Sequence, residues 1–148
     1  MSALKTQIAD TLKAAMRERA ADTVMVIRNV QAAIKQIEID TREELDDSRV
    51  LQVLEKQIKQ RKESIAAFQQ AGREELAAKE QFEIGIISQF LPVALDEHEL
   101  DALIAQEISE QGATSIRDMG KVMNALRPKI TGRADASIVS AKIKAKLA

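Results

Sequence analysis

The chain has 148 residues, 45% hydrophobic and 30% charged, a composition that excludes disorder and fits a folded helical protein. It has no cysteine, which excludes disulfides, thiolate metal sites and a cysteine nucleophile. Its only aromatic residues are Phe68, Phe82 and Phe90, which counts against a surface that stacks unpaired bases.

Charge is unevenly spread. Residues 1–111 hold fourteen basic and twenty-one acidic side chains, a net −7, whereas residues 112–148 hold eight basic ones against Asp118 and Asp135, a net +6. Two explanations stay open: an anionic partner meets the basic tail, or short helices carry solvated lysines. Helix C-termini favour lysine, which covers Lys142, Lys144 and Lys146. Lys5, Asp10 and Lys13 interrupt the N-terminal segment, against a signal peptide. The longest aliphatic run, residues 24–27, is far too short to span a bilayer. The expectation is a cytoplasmic protein without membrane contact.

Leu4, Ile8, Leu12 and Met16 recur at helical spacing and predict a first helix over residues 3–19, capped by Ser2, with those four as one buried stripe. Asp22 is placed to cap a second helix reaching residue 38, with Ile27, Val30, Ile34 and Ile37 inward. Spacings of three and four, without alternation, argue against a strand there. The acidic run Glu43, Glu44, Asp46 and Asp47 lacks the glycine turn of a hard-cation loop, so it reads as a loop with Asp46 or Asp47 capping the next helix.

That third helix, over residues 48–71, carries Leu51, Leu54, Ile58, Ile65 and Phe68 on one stripe and ends at Gly72. Its cluster of Lys56, Lys59, Arg61 and Lys62 is partly balanced by Glu55 and Glu63, as in pairing along a wet helix face. A fourth helix over residues 73–90 turns Leu76, Phe82, Ile86, Ile87 and Phe90 inward, and Gly85 predicts a close helix crossing. Leu91-Pro92 ends it, so the boundary between an N-terminal part, 1–92, and a C-terminal domain, 96–148, falls in the connecting stretch.

Asp96 and Glu99 open a fifth helix bearing Leu100, Leu103, Ile104 and Ile108, closed by Gly112. Ser115 and Asp118 start a sixth, whose apolar face is Ile116, Met119, Val122, Met123 and Leu126, and Pro128 is expected to stop it. Gly132 offers a tight turn, and Asp135 caps a last helix with Ala136, Val139, Ile143 and Leu147 on one face. Lys121, Arg127, Lys129 and Arg133 crowd around this break. The fold class is therefore all-α: a four-helix N-terminal part followed by a small three-helix C-terminal domain.

The run D-M-G-K-V-M-N-A-L-R-P-K-I-T-G-R-A-D-A-S, from Asp118 to Ser137, strongly resembles the C-terminal signature of the GatB/YqeY family. Lys56 with Gln60 to Ile65, and A-G-R-E-E-L from Ala71 to Leu76, also look like YqeY, so the resemblance covers essentially the whole chain. Asn124 departs from it, standing where a glycine is common.

In the tRNA-dependent amidotransferase, the similar tail domain of the B subunit reaches the tRNA elbow, while transfer chemistry lies in other domains. A similar module helps some glutaminyl-tRNA synthetases hold tRNA. The resemblance thus implies a tRNA-binding accessory module, with an aminoacyl-tRNA synthetase or an amidotransferase as protein partner. Lys121, Arg127, Lys129 and Arg133 would contact phosphates, Gly120 and Gly132 would admit close backbone approach, and Asn124 is grouped with them. Two alternatives are a protein-interaction scaffold, and a participant in glutamine-dependent amidation, a carbon–nitrogen ligase activity with glutamine as amido donor. Against catalysis, the one histidine, His98, stands between Glu97 and Glu99, and no nucleophile elbow, Walker loop, dinucleotide fingerprint or zinc spacing is present. No cofactor or metal is expected.

Overall fold

The computed structural model describes residues 2–148, and among them it contains seven α-helices, one 3₁₀ turn and no strand. The chain divides into two compact units, Met1–Leu91 and Pro92–Ala148, each with its own apolar cluster.

The first unit contains α1 (Ala3–Arg17), α2 (Ala21–Thr41), α3 (Asp47–Gln70) and α4 (Glu74–Ser88). Its core is aliphatic apart from Phe90, with Ile8, Ile27, Val30, Val50, Leu54 and Ile87 essentially inaccessible to solvent. Each such side chain contributes about 1.5–3 kcal/mol by leaving water. Polar residues clasp the start of the unit. Ser2 Oγ accepts from Lys5 N and donates to Asp47 Oδ1, which also accepts from Leu4 N. These bonds, Ser2 first, hold the Asp47 carboxyl below its ordinary range. Glu38 accepts from Lys5 Nζ at 2.7 Å and from Leu45 N at 2.8 Å, tying the end of α2 to α1 and to the buried Leu45.

The acidic loop needs no ion to explain it. Asp46 caps α3 by accepting from Arg49 N at 2.9 Å, Glu43 pairs with Arg49 at 3.0 Å, and Glu44 lies 3.6 Å from Lys5.

The fold departs from several sequence expectations. Asp22 does not cap α2: Ala20 holds that position with no side-chain bond, because left-handed Arg19 (φ 57°) sets the corner. Asp22 instead sits in the first turn, where it favours the helix dipole. Met16 and Phe82 are 49% and 46% exposed rather than inward, since no neighbouring helix of the unit covers those positions. Gly85 marks no close crossing, for a Cβ added there would meet nothing within 4 Å. Arg61 is not simply on a wet face either; half-buried, it bonds Gln57 and faces Glu83 of α4 at 3.7 Å.

The second unit holds α5 (Glu97–Glu110), the 3₁₀ turn Ile116–Asp118, α6 (Met119–Ile130) and α7 (Ala136–Leu147). Asp96 caps α5 by accepting from Glu99 N at 2.7 Å, and Asp135 caps α7 by accepting from Ser137 N at 2.8 Å. Ile104, Val122, Leu126, Val139 and Ile143 are completely buried and hold the three helices together.

Pro128 does not stop α6, which continues to Ile130. Proline removes one N–H and crowds the preceding turn, but the helix has only a single further half-turn to make. Burial of Ile130 (3% exposed) draws that half-turn into the core, and its carbonyl accepts from both Arg133 N and Ala134 N.

Candidate nucleic-acid interface

α6 contains no acidic residue, and helical periodicity sorts its polar side chains into two groups. With Val122, Met123, Leu126 and Ile130 packed into the core, Gly120, Lys121, Asn124 and Arg127 fall on the opposite, exposed face. Arg117, in the 3₁₀ turn just before α6, is exposed as well. Asp118, the one acid beside them, is engaged locally: its carboxylate accepts from Thr114 N at 2.9 Å and Ser115 N at 3.3 Å. Those two backbone bonds keep it ionised and hold its carboxyl below the ordinary range.

The remaining candidates are not brought to this face. Lys129 turns toward α5 and donates to Glu107 Oε2 at 2.9 Å. Glu107 is 3% exposed, a carboxylate within the apolar cluster, and Gln111 Nε2 also donates to it at 3.1 Å. The Lys129 bond lowers the Glu107 pKa and raises that of Lys129, as expected for a pair that favours both charged forms.

Arg133 Nε donates to Val93 O at 2.9 Å while Arg133 O accepts from Leu95 N at 2.9 Å, so this arginine fastens the segment leading into α5. Gly132 is buried with φ 77°, a conformation glycine adopts without strain. It serves the turn and does not open the backbone to a ligand, contrary to the expectation from sequence. Gly120 stands in open space on the exposed face, where nothing lies within 4 Å of an added Cβ.

Sequence reasoning missed Glu107 and its pairing with the exposed Lys129, although both carried a signal. Glu107 lies three residues after Ile104 and seven after Leu100, and Lys129 lies three after Leu126 and seven after Val122, so each shares the phase of buried positions.

The pairs predict a pH profile. Glu38, Asp47, Asp101, Glu107 and Asp118 all have lowered folded pKa values, so each adds stability that is present above the ordinary carboxylate range, about 4, and lost as pH falls through the lowered value. Lys5, Lys129 and Lys142 are raised, so their contribution holds up to about 10 and is lost as pH rises through the folded values. Urea unfolding across pH is expected to show a plateau between about pH 5 and pH 10 with losses on both sides. Stability rising steadily from pH 6 to pH 3 would contradict this assignment.

No helix among the described residues is long and apolar enough to cross a membrane. The chain is 35% identical over 138 residues to "Altered inheritance of mitochondria protein 41, mitochondrial" of Pyrenophora tritici-repentis, covering 89% of this chain and 74% of that one. Proteins of the same name from Kluyveromyces lactis (42% over 88 residues; 57% of this chain, 47% of that one) and Eremothecium gossypii (37% over 109; 69% and 60%) are also similar. The chain thus spans roughly half to three quarters of the length of these relatives. A family model described as YqeY-like protein matches residues 5–147, and the chain belongs to that family.

Proposed function

We propose that the unit Pro92–Ala148 is a tRNA-binding accessory module acting through the exposed face of α6. The observation that carries this is the exposed face of α6, a helix without acids, on which Lys121 and Arg127 flank Gly120 and Asn124, with Arg117 beside them and Asp118 engaged by the backbone of Thr114 and Ser115. Cations at helical spacing, without an aromatic platform, suit the phosphates and 2′-hydroxyls of a folded RNA better than unpaired bases. Gly120 leaves the helix flat where a sugar–phosphate backbone would approach. Lys129 and Arg133 support this face from behind: one holds α6 to α5, the other anchors the turn that follows. A synthetase or amidotransferase partner would supply the chemistry and the rest of the affinity. The module would act in whichever compartment holds its tRNA, and the relatives' names place those proteins in mitochondria.

Binding of the purified chain to bulk deacylated tRNA across a salt series tests this. Three phosphate contacts give an expected slope of roughly −2 to −3 in log K against log salt. Lys121→Glu combined with Arg127→Glu should lower affinity by about tenfold or more while leaving the thermal transition in place, because both side chains are exposed. An unchanged affinity in the double variant, or equal binding to double-stranded DNA, would overturn the proposal.

A further inference from the structure

The first unit, close to neutral in net charge, carries an apolar groove with a basic rim. It lies at the corner where α1 ends and α2 begins, has a volume of about 600 Å³, and is lined by Met16, Val24 and Met25 with Arg19 and Arg28 among its borders. Met16 is 49% and Met25 61% exposed, so two flexible thioethers face solvent side by side. Arg28 reaches over the groove with Nη2 at 3.9 Å from Met16 Sδ. The acids nearest in sequence, Glu18 and Asp22, are not among the lining residues.

Arg19 is the second observation. Its φ of 57° places it in the left-handed region, which arginine adopts at a cost and glycine does not. The corner is otherwise well tied, by Arg19 N to Met16 O at 3.2 Å and Ala20 N to Ala15 O at 3.0 Å. A residue that the backbone disfavours thus sets a guanidinium at the edge of an exposed apolar surface.

We infer that this groove docks an acidic amphipathic helix of a partner protein, its apolar stripe between Met16 and Met25 and its carboxylates against Arg19 and Arg28. Methionines adapt to the shape of an inserted side chain, which is their usual service in helix-binding grooves. Charge chooses the occupant. A two-fold contact with a second copy would set Arg19 and Arg28 against their own counterparts, and like charges facing across an interface oppose it. The surface is concave, which suits a helix better than the plane of a bilayer.

The test uses the full chain labelled with ¹³C at its methionine methyls. The probe is a synthetic helical peptide of about eighteen residues with leucines along one face and glutamates on both flanks, beside the same peptide carrying lysines instead. The acidic peptide should move the Met16 and Met25 signals and leave Met119 and Met123, in the other unit, in place. Arg19→Gly with Arg28→Gln should weaken binding by about tenfold, two rim pairs being lost. The glycine relieves the left-handed strain, so the thermal transition should not fall, which separates docking from folding. Equal binding of the lysine peptide, still Met16 and Met25 signals, shifts that follow protein concentration alone (a second copy), or shifts caused only by vesicles of phosphatidylserine and phosphatidylcholine would each overturn the inference.

Discussion

Leu126→Ala is expected to cost the second unit about 2–5 kcal/mol, enough to abolish its fold while the first unit stays intact. Leu126 is completely buried in one cluster with Ile104, Val122, Val139 and Ile143, so its truncation leaves a cavity in the centre of the unit. A unit as short as Pro92–Ala148 buries a smaller fraction of its surface than a large domain does, so its total stability is of the same order as the loss. Methionine methyl resonances report the outcome directly. Met119 and Met123 should collapse to random-coil positions, whereas Met16 and Met25 stay dispersed. Simultaneous collapse of all four would mean that the two units unfold as one. Phe82→Ala, at a residue 46% exposed, should by contrast change stability by no more than about 0.5 kcal/mol.

Lys129→Glu is the second large effect, and its readout is folding before it is RNA binding. The substitution sets a second carboxylate against Glu107, whose own carboxylate is buried and ionised because Lys129 donates to it. Neither acid then has a cation, and Gln111 alone remains to satisfy Glu107. The melting temperature of the second unit should drop markedly and recover part of the way at low pH, where protonation removes the repulsion. Lys129→Glu with Glu107→Lys should restore much of the loss, since the pair is re-formed in reverse. If Lys129→Glu leaves the transition unmoved yet abolishes tRNA binding, the lysine contacts RNA directly and the pairing with Glu107 is incidental.

The helices were legible in the chain because their signals are local. Caps at Ser2, Asp46, Asp96 and Asp135, glycine after α3 and α5, and apolar residues three and four apart all act within one turn of the backbone they shape. Coverage is not local, and there the reading failed. Periodicity shows that Met16 and Phe82 share a phase with core residues, but only the packed unit shows that no neighbour covers them. Pro128 misled for a related reason: its local penalty is real, and the tertiary burial of Ile130 outweighs it. In the candidate site, the basic cluster was visible as composition but not as direction. Lys121 and Arg127 face out, while Lys129 and Arg133, close by in sequence, are spent on Glu107 and on the carbonyl of Val93.

The outer part of the α3–α4 hairpin has a dynamic consequence. From Lys59 to Gln70 no residue of α3 is buried, and before Ile84 the only buried residue of α4 is Ala77. In those turns Ile65, Phe68 and Leu76 are only partly buried, while α1 and α2 share the cluster around Leu54 and Ile87. Local opening there sacrifices little apolar contact, so amide exchange should be graded along α3, fast near Gln70 and slow near Leu54. Such a segment can fray and re-form while the core below it stays closed. It is also the part of the first unit best able to change shape against another molecule without endangering the fold.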